Sequence, residues 1–519
     1  MKKAIYLIIA LIGLSAPSCS DSMLDFSPTD SGSGKELLKS ASTAITSVNG
    51  VYRSMWTAGW STTANTHQCF GIAAYNLALD CMADDLIMQS QGNGWFWGDH
   101  CYNVKSNYTS SAFRSYDVWY ANYKWIANVN YIIDAEPEMA GTEADVAYVA
   151  GQAYAIRALC YLNLATWFSR APYNSLTGAS RWNEPCVPVY TTGTSIDTGG
   201  QPRESLRTVY GRIDQDIDRA IELLEKARET TLAENNKSHI NLYVALGIKS
   251  RACLAEGDWD GAFKAAKRVI DEGGYAVGTK SDLTGGMNSL DKQNVMWGAG
   301  IQEADQASGY AGFFTHMDNK EGAYAKSAPK LISKQLYNRI SATDIRRDWW
   351  DPSDKESPYV SKKFSFANVA SFLGDYIYMR VEEMYFTAAE AALRLDDLKS
   401  ARELMNTVMA ERDPGYSANN RSGTLLGATT TTWTGSFLEN ILTHRRIELW
   451  GEYGRLFDVR RLGQGIDRRT DDGFSEECIS MMNRRNVNIT KADTYDWVLT
   501  IPKAELDANP NINEEDQNP

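Results

Sequence analysis

RACLAEGDWDGAFKAAKRVI (251–270) and AEAALRLDDLKSARELMNTVM (389–409) can be laid over one another. Each reads as a helix, a two-residue break and a second helix. The breaks are Gly257-Asp258 and Asp396-Asp397, and Ala262 and Ala401 share the early position of the second helix, where close approach of two helices needs a small side chain. This is tetratricopeptide-like geometry, except that the two copies stand about 139 residues apart instead of the usual ~34. A plain αα-hairpin used twice is the simpler reading of the same pattern.

Outward from these pairs the chain stays helical. Apolar residues recur at helix spacing through about 36–57, 112–135, 143–169, 203–228, 239–256, 259–272, 380–395, 398–411 and 436–451. Stretches rich in Gly, Thr, Asn and aromatics separate them, at about 58–111, 171–202, 274–379, 412–435 and 463–519. Long irregular segments in a compact domain usually carry function. The expectation is a mainly α fold, one helical scaffold over 36–519, with parts about 36–272 and 273–519 intertwined.

The 519-residue chain carries a net charge of −13, and no basic face for nucleic acid is evident. Lys2 and Lys3 precede an apolar run over 4–14, then Ser15, Ala16, Pro17 and Ser18, then Cys19. This reads as a lipoprotein signal over 1–18, with Cys19 lipidated and a flexible tether over 19–35. An ordinary signal peptide with an incidental Cys is the other reading. The apolar run is too short to span a bilayer.

Chemistry is harder to find. Seven further cysteines are widely spaced with no CxxC, so neither a metal nor a redox motif is indicated, and no cofactor is expected. Cys160 and Cys253 lie in helical apolar patterns and read as buried hydrophobes; a disulfide among Cys69, Cys81 and Cys101 is possible. Five His are scattered, and HExxH, GxSxG and GxGxxG are absent. The acid pairs Asp84-Asp85 and Glu382-Glu383 read as solvated or structural, because adjacent helical side chains do not face each other. In the segment 437–463, Arg445 falls on the apolar stripe of Leu438, Leu442 and Leu449. It must meet acids or carbonyls, with Glu448, Glu452 and Asp458 nearby; a buried ion-pair network explains this better than an anion site.

Aromatics make up 11% of the chain and cluster over 95–125. Those from Phe113 onward sit at helix spacing and read as core. Trp95, Phe96 and Trp97 instead lie between the Gly-containing 91–94 and Gly98-Asp99, on a loop. A sugar ring has one apolar C–H face that a flat indole can cover, while Asn93 and Asp99 could take the hydroxyls. Loop rings plugged back into the core fit the same pattern. A second loop, with Tyr310, Phe313 and Tyr324, could complete an aromatic groove, and core packing accounts for it as well.

Five segments in order resemble the SusD/RagB family: CSDSMLDFSP at 19–28, ATDIRRDWW at 342–350, YMRVEEMYFTAAEAALRL at 378–395, THRRIELWGEYGRLFDVRRLG at 443–463 and IPKAELDANPNINEEDQNP at 501–519. One departure is Tyr453-Gly454, where the family commonly has Glu-Gly. The resemblance implies an α-rich fold with tetratricopeptide-like units and an outer-membrane, surface location in Bacteroidota. It also implies a SusC-like TonB-dependent transporter as partner and no catalysis. Family members bind glycans, and some bind peptides, through aromatic loops; Trp95 and Trp97 match the placement of the stacking tryptophans. Glycan uptake is therefore the expected role, a peptide-binding RagB-like lipoprotein the alternative, and a surface glycan hydrolase a less favoured one.

Overall fold

The structure is a computed structural model that describes residues 34–57, 66–103, 113–195, 197–233, 237–305, 311–492 and 494–519. Its helices are α1 (Ala41–Ser54), α2 (Ile72–Met82), α3 (Phe113–Ala135), α4 (Glu143–Phe168), α5 (Leu206–Lys226), α6 (Leu242–Glu256), α7 (Trp259–Glu272), α8 (Val381–Arg394), α9 (Leu398–Ala410), α10 (Phe437–Glu448), α11 (Arg455–Leu462) and α12 (Glu476–Arg484), with shorter turns between. The mainly α expectation holds. Cys19 and most of the expected tether lie outside the described residues.

Local chemistry starts these helices where the sequence says it should. Side chains of Thr142, Ser205, Asn241, Asp258, Asp397 and Ser436 each accept a backbone N–H in the first turn of α4, α5, α6, α7, α9 and α10. The two helix pairs share one connection. Gly257 (φ +77°) and Asp396 (φ +62°) both adopt the left-handed conformation, and the next residue, Asp258 or Asp397, caps the second helix. Ala262 and Ala401 are both fully buried.

The copies, distant in sequence, pack on each other: α7 lies against α8, α6 against α7, and α8 against α9 and α10. Cys253, Leu254, Ala262 and Ala391 form a small apolar seam between them. At its edge the Arg394 guanidinium lies 4.4 Å from the Trp259 ring centre. Arg251 of α6 makes a two-pronged ion pair with Glu383 of α8, both bonds 2.7 Å.

Strand is sparse. β1 (Leu86–Ile87), β3 (Leu331–Ile332), β5 (Val360–Ser361) and β4 (Trp350–Asp351) form a small antiparallel sheet in that spatial order. β2 (Val295–Ala299) pairs antiparallel with β6 (Tyr376–Arg380), which leads straight into α8.

Two expectations need correcting. The stretch 58–111 contains α2, and 463–519 contains α12. Helix α2 is apolar nearly all round, with ten buried residues from Ile72 to Met82. A helix buried on every side has no hydrophobic period to read. Among the described residues no helix is long and apolar enough to cross a membrane. The seven cysteines among the described residues are buried, Cys160 and Cys253 among them, and none forms a disulfide, so Cys69, Cys81 and Cys101 are not cross-linked.

The centre of the molecule is ionic. Glu448, at the end of α10, accepts from Arg346 (3.0 Å), Arg380 (2.9 Å) and Arg412 (2.9 and 3.0 Å), all fully buried side chains. Glu382 pairs with Arg412 at 2.8 Å and Arg380 at 3.0 Å, and Glu452 with Arg380 at 2.7 Å and Lys363 at 2.5 Å. Arg445 pairs with Asp458 (2.8 Å), which also holds Arg461 (2.7 Å); Arg461 continues to Glu390 (2.7 Å). Arg446 and Arg455 are paired with Asp84 and Asp85. So Arg445 does sit in a buried network, and of the three acids expected near it Asp458 is its partner. Glu448 and Glu452 serve other cations.

Candidate functional site

The 91–97 turn is built by backbone geometry. Gly92 (φ +52°) packs so tightly that a Cβ there would lie 2.5 Å from the Ser327 carbonyl oxygen. Gly94 (φ +91°) donates to the Gln91 carbonyl at 2.8 Å, and the Trp95 N–H donates to the Asn93 side chain at 3.2 Å. This turn sets Trp95 on the surface, half-buried, and drives Phe96 into the core.

Beneath Trp95 lies His67. The two rings are parallel, 5.1 Å apart at an angle of 6°. Tyr324 stands edge-on to both, at 6.1 Å from Trp95 and 5.4 Å from His67, and its hydroxyl is hydrogen-bonded to His67 Nδ1. A second tier supports the first. His316 lies 4.9 Å from Tyr324, edge-on to Phe96 at 5.0 Å and stacked on Phe70 at 5.6 Å. Burial, aided by the Lys330 charge, pushes the His316 imidazole well below its ordinary pKa, so this tier stays neutral. The result is a rigid aromatic step with one indole face at solvent level, which suits a sugar's C–H face.

Of the residues expected at a site, the structure brings together Trp95, Asn93 and Tyr324. Asn93 is exposed beside Trp95, although its carbonyl holds the turn. Trp97 is not available as a platform: it is 3% exposed and packs on His100 at 5.6 Å. Asp99 is fully buried and gives both oxygens to Arg114, at 2.9 and 3.0 Å, so it is spent on an ion pair rather than on hydroxyls. Phe313 is core, edge-on to Phe364 at 5.1 Å. Tyr310 lies outside the described residues. Sequence reasoning missed His67, one of five scattered His with nothing local to mark it. It also placed Tyr116, Tyr120 and Tyr123 in the core, whereas each is only half-buried.

The acid pairs do not face a cleft as a catalytic pair would: Asp84 and Asp85 are spent on Arg446 and Arg455, Glu382 and Glu383 on Arg412 and Arg251. Among the described residues no group of His, Cys, Asp and Glu is arranged to hold a metal ion.

Two family models match the chain. One, described as the SusD family, covers residues 317–519; the other, described as starch-binding associating with outer membrane, covers 43–254. The chain belongs to the SusD/RagB family. Solved SusD proteins share its fold over about nine-tenths of its length. A SusD-like carbohydrate-binding protein from Bacteroides vulgatus ATCC 8482 is 25% identical, with a TM-score of 0.73 over 92% of this chain and 98% of that one. A SusD superfamily protein from Bacteroides thetaiotaomicron VPI-5482 is 22% identical, with a TM-score of 0.73 over 92% and 100%. Surface glycan-binding protein A from Bacteroides thetaiotaomicron is 16% identical, with a TM-score of 0.64 over 93% and 99%. No curated protein matches. Membership supports carbohydrate binding in general, and the family is one of binding proteins rather than enzymes.

Proposed function

We propose that this SusD/RagB protein captures a glycan at the cell surface and passes it to a SusC-like TonB-dependent transporter. The observation that carries the reading is the half-buried Trp95 face, levelled by His67 and flanked by Tyr324. Asn93 supplies the adjacent amide. By analogy with base stacking, each ring contributes roughly 1–3 kcal/mol to a weak ligand. The Trp95→Ala/Tyr324→Ala variant should therefore lose measurable glycan binding in affinity electrophoresis against soluble polysaccharides, with only a small drop in Tm. Retention equal to wild type would place the site elsewhere. A wild-type chain that ignores every polysaccharide but binds a peptide mixture would favour the RagB-like alternative, and reducing ends released over hours would favour a hydrolase.

Anchoring fits the same role. Removal of 1–18 and lipidation of Cys19 would hold the helical body at the outer membrane beside its transporter. Cys19→Ala should move the protein from the membrane fraction to the soluble one. A normally processed, membrane-bound Cys19→Ala protein is the contrary result.

A further inference from the structure

A second aromatic cleft opens along α3, at the margin of its buried face, and it shares no residue with the Trp95 step. It encloses about 400 Å³ between the middle of α3, Tyr190, Thr194, Ser195, Thr198 and Glu505. That falls within the ~300–1,000 Å³ typical of small-ligand sites. We infer that this cleft is a separate glycan-binding subsite, holding a sugar ring against Tyr120 and Tyr190 with its hydroxyls toward Thr198 and Glu505. The ligand class rests on the glycan reading above; the geometry is independent of it.

Three observations carry the inference. First, the rings are held in place by bonds from their own hydroxyls. Tyr123 donates to the Pro188 carbonyl at 2.8 Å, Tyr190 accepts from the Gln201 N–H at 3.0 Å, and the two rings meet edge-on at 5.9 Å. These bonds stitch the loop to the helix, so the cleft wall is set before a ligand arrives. Second, Tyr120 is half-buried, with Tyr116 stacked on one side of its ring at 5.4 Å and 14° and the ammonium of the exposed Lys124 over the ring 5.5 Å from its centre, so a sugar stacks there by displacing the Lys124 side chain. Tyrosines on a wet helix face at consecutive turns are not explained by core packing. Third, the facing groups are hydrogen-bonding ones. Glu505 takes one donor on each oxygen, Trp119 at 3.2 Å and Asn509 at 2.8 Å, which leaves acceptor capacity for ligand hydroxyls. Thr198 accepts from the Ser195 N–H at 2.8 Å and keeps its own proton to donate. Apolar ring faces opposite a carboxylate and hydroxyls match a pyranose better than an apolar peptide.

The test runs wild type, Tyr120→Ala, Tyr120→Phe, Thr198→Ala and Trp95→Ala/Tyr324→Ala in native gels containing amylopectin, laminarin, xylan or galactomannan. In a gel that retards wild type, Tyr120→Ala should bind about five- to tenfold more weakly, as expected for one lost stacking ring. Tyr120→Phe keeps the face and should bind like wild type. Thr198→Ala, which alters no helix, should also weaken binding and covers the case of a Tyr120→Ala protein with a lowered melt. Tyr120→Ala and Thr198→Ala both running like wild type overturn the subsite, and that is also what a protein-docking cleft would give. If only the Trp95→Ala/Tyr324→Ala variant loses retention, the subsite fails and the first site stands. If that variant is unaffected while Tyr120→Ala loses retention, the first site fails and the subsite stands. No retardation of wild type in any gel counts against both.

Discussion

Replacing Glu448 by alanine is expected to leave the protein unfolded or nearly so under ordinary conditions. The carboxylate is the shared partner of Arg346, Arg380 and Arg412, none of which reaches solvent. Removing one partner of a single buried pair typically costs ~3–5 kcal/mol, because the remaining charge is left uncompensated. Here three guanidiniums lose the same acceptor, against a total stability of only about 5–15 kcal/mol. Glu448→Gln keeps the volume and one acceptor and should lose less. Urea denaturation of soluble protein reads both, and a Glu448→Ala midpoint equal to wild type would refute the role. Acid should act on the same group. Burial alone would raise the Glu448 carboxyl, but Arg412, Arg380 and Arg346 outweigh it and hold the pKa well below the ordinary 4.5. Such a carboxyl contributes stability that is fully present above about pH 4.5 and is lost as the pH falls through the lower folded value.

Asp99→Ala should cost about 3–5 kcal/mol and take glycan binding with it, because Arg114 loses its two-pronged partner in the core and keeps only the more distant Asp117. Arg114 lies 5.3 Å from the Phe96 ring centre and donates to the Gln68 carbonyl, while Gln68 in turn holds the Phe96 N–H. Asp99 is thus a positioning residue for the Trp95 turn. Replacing the pair together, Asp99→Leu/Arg114→Met, should recover part of the stability, since the buried guanidinium goes with its main partner while Asp117 loses its cation 3.7 Å away. The readout is a melt beside the affinity gel. Binding lost with an unchanged melt would return Asp99 to the role of a direct sugar contact.

The two helix pairs were legible because their information is local: a 3.6-residue period, a break that adopts a left-handed turn, and an Asp that caps the next helix. Trp95 was legible for a similar reason, as glycines on either side removed any helical stripe that could explain it. Trp97 and Asp99, two and four residues on, share that local context. Trp97 packs on His100, which is itself stacked on Phe474 from the far end of the chain, and Asp99 pairs with Arg114, fifteen residues on; sequence neighbours do not carry those partners. Arg445 gives an intermediate case. Its place on an apolar stripe revealed a buried charge, whereas the choice of Asp458 over Glu448 follows from how α10 and α11 turn relative to α8. Helix α2 left no period to read, and His67 stood in a stretch with no pattern at all.

The seam between α7 and α8 bears on how the chain reaches its native state. Its two sides come from segments separated by all of 273–380, so neither hairpin can cover its apolar flank until that intervening length has been drawn in. Contacts of such long sequence separation pay loop-closure entropy before they return anything, which slows folding. Until then Cys253, Leu254 and Ala262 face water. Refolding from denaturant is therefore expected to be slow and prone to aggregation at high concentration, with docking of α8 as the late event that makes the earlier half permanent.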